Sequence, residues 1–157
     1  MKLQQASTTA DLAALYDEDF FAWTERNAEL LRSGHVSDAD IAHIAEEIEG
    51  QGQLDTKEMY RRVRAVLVYL LKWQLQPEKR PRSWKVRIVS ERIEIELLLK
   101  QSPSLETKVC GKLADLYAGA VRLAAAQTGL ARDQFPKECP FTLEQIFDLH
   151  YMPTEAG

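Results

Sequence analysis

Residues 57–92 carry eleven Lys or Arg against three Asp or Glu, with Trp73 and Trp84 inside the run. Cations interleaved with aromatic rings can hold phosphates and stack on bases, so nucleic-acid or other anion chemistry would sit here. Arg61, Arg62 and Arg64 crowd within two turns of one helix, and Lys79, Arg80, Arg82, Lys85 and Arg87 follow through a proline-marked connection into the next. The candidate anion-binding residues are Arg61, Arg62, Arg64, Lys79, Lys85 and Arg87, a basic ridge over 61–87. Residues 11–55 have the opposite sign, twelve acids against two bases. Segment charges of −10 and +8 must be neutralised by the neighbouring helix, a second copy or an anionic partner.

A second candidate constellation joins the two segments. Glu46 and Glu47 are expected to face Lys72, Arg80 and Arg82, forming a partly buried ion-pair network beneath Trp73 and Trp84. Arg82 offers a fork that holds a carboxylate through two bonds, and Trp84 a flat surface for a guanidinium. The bland reading, in which this network locks the 76–84 loop onto the acidic helix, ranks above an open face for a phosphate or acidic ligand. Both tryptophans fit helical apolar faces, so packing outranks base stacking. An isoelectric point near 5.5 and the lack of a helix-turn-helix or zinc pattern keep nucleic acid in second place.

Catalytic chemistry finds no purchase. Carboxylate-bridged metal sites in bundles use Glu-x-x-His pairs, whereas here His43 precedes Glu46 and no second pair exists. His35 and His150 fall in a turn and near the tail, so the histidines read as solvated or capping. Cys110 and Cys139 are isolated and read as free thiols. Ser83 and Ser102 read as helix caps, and neither a nucleophile elbow nor a phosphate-cradling glycine loop is present. Glu91, Glu94 and Arg92 share a helix margin and read as solvated. No cofactor, metal ligand or catalytic residue is assigned, and no small-molecule ligand is specified.

The elements that must position these side chains are helices. Asp17 is expected to cap a first helix bearing Phe20, Trp23, Asn27, Leu30 and Leu31 and ending at Gly34, with a weaker turn before it at 11–15. Ser37 would cap a second, whose Ile41, Ile44, Ala45 and Ile48 make an apolar stripe with Asp40, Glu46, Glu47 and Glu49 mostly outside it. Gly50 and Gly52 predict a break near residue 51. A third helix from Leu54 is apolar nearly all round and therefore central. Pro77 and Pro81 end it, Ser83 starts a fourth, Ser102-Pro103 a fifth that stops at Gly129, and Thr142-x-x-Gln145 a short last one.

This is an all-α bundle of about five to six helices without a sheet. At 157 residues it is expected to be one domain, with 1–10 flexible and 150–157 a tail. The longest apolar run, 65–71, is too short for a membrane span. With no secretory signal after Met1, the expected location is cytoplasmic.

KWQLQPEKRPRSW (72–84), EEIE (46–49), SPSL (102–105) and CPFTLEQ (139–145), with the opening YDEDFFAWTERNAELLRSG (16–34), resemble domain of unknown function family 29 in content and order. The resemblance covers about 15–153; the ending LHYMPTEAG matches it only loosely. It implies a cytoplasmic all-helical bacterial protein and carries over no activity. The sequence therefore points to a non-enzymatic interaction or scaffold protein that self-associates as a dimer, acidic part on basic part. A nucleic-acid-associated protein using the ridge is the alternative, and a metal-dependent bundle enzyme a distant third.

Overall fold

The computed structural model describes residues 8–154; 1–7 of the segment expected to be flexible and 155–157 of the tail lie outside the described residues. Among the described residues six α-helices follow in order: α1 (Thr9–Glu18), α2 (Phe20–Arg32), α3 (Ile41–Leu75), α4 (Arg82–Gln101), α5 (Leu105–Thr128) and α6 (Leu143–Phe147). Two 3-10 turns, Val36–Asp38 and Arg132–Gln134, stand between them. No strand occurs among the described residues, and the all-α class stands. The residues gather into two compact units, Met1–Gln53 and Leu54–Gly157.

In the first unit, the expected weak turn is a full helix. Thr8 and Asp11 form a capping box that starts α1, and the expected cap Asp17 lies inside that helix. Asp19 is the cap of α2 instead, its carboxylate accepting from the Ala22 amide at 3.0 Å. Gly34 ends α2 as expected, at φ +80°, a conformation only glycine adopts without strain. Ser37 sits in the 3-10 turn, and Asp40 does the capping work: its carbonyl receives the Ile44 amide and its carboxylate lies 3.5 Å from the His43 amide.

The break near residue 51 does not occur. α3 runs unbroken through Gly50 and Gly52 for 35 residues. Each glycine costs about 1 kcal/mol relative to Ala, but neither removes a hydrogen bond as proline would, and the flanking turns carry the helix across. The acidic residues 46–49 and the basic residues 57–72 thus belong to one helix and cannot be antiparallel neighbours that neutralise each other.

The second unit has a closed apolar core. Met59, Val63, Val66, Leu67, Leu70 and Leu71 of α3 pack with Ile88 and Ile95 of α4, Val109, Leu116 and Ala120 of α5, and Phe141 and Ile146 near α6. Pro77 and Pro81 confine α3 as expected. α4 begins at Arg82 with Pro81 rather than Ser83 at its cap, and Ser102 closes α4 instead of opening α5, which starts at Leu105. Gly129 (φ +75°) and the Thr142 capping box end α5 and start α6 where the sequence places them.

Arg92, expected at an exposed margin, is fully buried. Its Nε donates to the Ile146 carbonyl, Nη1 to that of Tyr151 and Nη2 to that of Gln145, at 2.7–2.8 Å. Burial lowers its pKa to about 10, still above neutrality. One buried guanidinium therefore fastens residues 145–151, which reach into the start of the expected tail, to α4 by satisfying three carbonyls.

Candidate interaction surfaces

The first half of α3 docks on α1 and α2 through polar side chains. Trp23 Nε1 donates to Asp40 Oδ2 at 3.0 Å, and His43 Nδ1 lies 2.6 Å from the same oxygen. The Asp40 amide donates to Asn27 Oδ1 at 2.8 Å, and Asn27 Nδ2 to the Trp23 carbonyl at 2.9 Å. Tyr16 stacks on His43 with ring centroids 4.0 Å apart, meets Trp23 edge-on, and donates its hydroxyl to Glu47. That bond, with burial behind it, pushes the Tyr16 pKa up to about 12. Burial pushes the Asp40 carboxyl up, but the bonds from His43 and Trp23 outweigh it and leave it lowered. The Asp40 bond in turn raises the His43 imidazole against the opposing effect of burial. The histidine expected to be solvated is thus the centre of an aromatic and carboxylate joint.

Because His43 and Glu47 face the joint, the apolar stripe of the same helix segment is left outside. Ile41 is 49% and Ile48 69% exposed, and Ala45 between them is exposed too. The amphipathic pattern is real, but the side that docks carries His43 and Glu47; of the expected stripe only Ile44 is half-buried, and Glu46 and Glu49 are exposed as well. Of the eleven exposed large apolar residues among those described, six belong to the first unit: Phe20, Phe21, Leu31, Val36, Ile41 and Ile48. A second exposed stripe runs along α4 as Val86, Ile93 and Leu97.

The seven residues of the expected network are placed differently. Glu46 is exposed, and Glu47 holds Tyr16. Lys72 belongs to the second unit, and its contacts lie there. Lys72 Nζ instead donates to Gln127 and sits 4.8 Å from the Trp84 ring and 4.9 Å from Tyr69. Arg80, the one non-glycine residue with positive φ (+24°) among those described, donates Nε to the Trp73 carbonyl and lies 5.2 Å from the Trp73 ring. It closes the end of α3. Trp73 and Trp84 are half-buried, with a cation over each, and Arg82 is exposed.

The basic ridge divides. Arg62 binds Glu58 and Glu91, Arg87 binds Glu91 at 3.1 Å, and Glu91, expected on a solvated face, is buried between them. Burial opposes the Arg62 charge, yet the two carboxylates raise its pKa on balance. The Arg64 stem lies over Gly119, where an added Cβ would come within 3.3 Å of Cδ. With Lys72, Arg80 and Arg92, six of the eleven cations hold the fold. Lys57, Arg61, Lys79, Arg82 and Lys85 remain exposed.

A groove of about 700 Å³ lies between α5 and residues 132–139, floored by Leu113, Tyr117 and Val121 and walled by Phe135 and Pro136. The Tyr117 hydroxyl fixes that wall by donating to the Pro136 carbonyl. Its rim mixes Arg122, Arg132 and Lys137 with Asp133 and Glu138, which gives no strong preference for either charge. Among the described residues no three His, Cys, Asp or Glu converge as a metal site would require, and no helix is long and apolar enough to cross a membrane.

No curated protein and no solved structure matches the chain significantly. Residues 15–152 match the family described as Domain of unknown function DUF29, and with that match covering most of its length the chain belongs to this family.

Proposed function

We propose that the protein is a non-enzymatic interaction module that self-associates, and that the acidic first unit supplies the associating surface. The observation that carries this is the packing of α3, which turns His43 and Glu47 into the joint while Ile41, Ala45 and Ile48 face solvent. A unit of about fifty residues buries little apolar surface by itself, and exposed apolar side chains grouped on one helix face favour a partner that covers them. A second copy fits the charge pattern, since the acidic and basic runs of one chain are complementary to those of another. Light scattering across micromolar concentrations tests the proposal: the mass should rise from 17.9 kDa toward its double, and a constant 17.9 kDa at high micromolar concentration would refute it.

Support for a nucleic-acid partner is narrower and rests on the five exposed cations, Lys57, Arg61, Lys79, Arg82 and Lys85. Anisotropy titrations with labelled duplex and single-stranded DNA at low salt test it. No change at tens of micromolar protein removes that reading and leaves the first untouched.

A further inference from the structure

Resting on the self-association proposed above, we infer that the exposed stripe of α3 in one copy seats antiparallel on the exposed stripe of α4 in a second copy, with acid-flanked surface on cation-flanked surface. The two stripes have the same spacing. Ile41, Ala45, Ile48 and Gly52 recur at intervals of four, three and four residues, and so do Val86, Ser90, Ile93 and Leu97. Each stripe spans twelve residues of helix, about 17 Å from first to last, and all eight positions are exposed.

Antiparallel alignment also matches large to small. Gly52 lies opposite Val86, Ile48 opposite Ser90 and Ala45 opposite Ile93, with Ile41 against Leu97 at the end. This gives Gly52 a purpose: an added Cβ there meets nothing within 4 Å in the single chain, yet the glycine weakens the helix by about 1 kcal/mol. A partner helix approaching closely at Val86 uses the space that the missing side chain leaves.

The flanks agree in charge. Glu46 and Glu49 border the α3 stripe and are exposed, while Arg82 and Lys85 stand exposed beside the first turns of the α4 stripe. In the antiparallel seat Glu49 comes level with Val89, about one turn from Lys85 and two from Arg82. The parallel alternative sets Glu49 level with Glu94, where like charges repel. Arg87 is nearer still to Glu49, but it already braces buried Glu91.

Charge reversal in two separate chains tests the inference. Glu46→Lys with Glu49→Lys should leave one chain at 17.9 kDa, and Arg82→Glu with Lys85→Glu should do the same to another, each weakening association about tenfold or more. Mixed in equal amounts, the two variants should associate again, because each reversed surface then meets its opposite. Circular dichroism checks that both keep their helices, and Gly52→Leu, which fills the close approach without altering charge, should weaken association independently. Either double variant associating as wild type does, or a mixture that stays monomeric, overturns this pairing while wild-type association keeps the broader reading alive. A wild-type chain that never associates overturns both.

Discussion

The two units are built by opposite means. Residues 54–154 close over an apolar core in which Met59, Val63, Leu67, Leu70, Ile88 and Val109 are wholly inaccessible. Residues 8–53 bury only Leu12, Trp23 and Ala39 among their apolar side chains and are joined instead by Asn27, Asp40, His43, Glu47 and the Tyr16 ring. Apolar burial supplies non-directional stability, whereas a hydrogen-bonded joint specifies orientation and contributes modestly in net terms. The contrast teaches that the second unit is held by its own apolar core and the first by a polar joint that leaves Phe20, Phe21, Ile41 and Ile48 exposed. These four are disposed outward, where a second molecule can cover them.

The comparison can be broken most forcefully in the second unit. Arg92→Ala would orphan the carbonyls of Gln145, Ile146 and Tyr151 and leave a cavity; a loss of about 3–5 kcal/mol in denaturant unfolding is expected. In the first unit, Asp40→Ala unpairs the Trp23 indole and the His43 ring and should cost about 1–3 kcal/mol. Its readout is a Trp23 emission change and faster amide exchange in α1 and α2, with exchange in α5 unchanged. Equal loosening of both units would contradict their separate means of support.

The joint should also respond to pH, and the second unit's apolar core should not. The His43 pKa is raised by Asp40, so its contribution is full below the unfolded value near 6.5 and is lost as pH rises through the higher folded value. Asp40 is lowered, so its contribution is present above about 3.9 and lost as pH falls through the lower folded value. Amide protection factors in α1 and α2, with the intrinsic pH dependence of exchange divided out, should therefore be highest between these limits and fall on the alkaline side, and His43→Gln should abolish that fall. The smallest effect is expected at Gly50, where an added Cβ meets nothing within 4 Å; Gly50→Ala should stabilise α3 by up to about 1 kcal/mol in thermal unfolding.

Much of the second unit was legible in sequence, because its helices bury what their periodicity marks and Pro77, Pro81, Gly129 and Thr142 act as their types dictate. The expected five to six helices and the six among the described residues agree through two opposite departures: the turn expected at 11–15 is the helix α1, and the two helices expected either side of Gly50 and Gly52 are one. Local propensity drove both, since two glycines weaken a helix without removing a hydrogen bond, and a short helix such as α1 depends on tertiary contacts that no local pattern displays. The sequence does mark the stripe Ile41, Ile44, Ala45 and Ile48. Its burial was not legible, because periodicity identifies a face without saying what covers it. Asp40 and His43, spaced three apart on α3 with Trp23 and Tyr16 on the preceding helices, offered the one local signal of the joint. Arg92 offered none: its partners are backbone carbonyls more than fifty residues away.

Coverage of the outward α3 stripe by a second copy, as proposed above, is tested at Ile48. At 69% exposure in one chain, its replacement by Glu should change monomer stability by no more than about 0.5 kcal/mol. Sedimentation equilibrium of wild type and Ile48→Glu at the same high micromolar concentration should give a mass near twice 17.9 kDa for the first and 17.9 kDa for the second. The same mass for both chains would contradict the account.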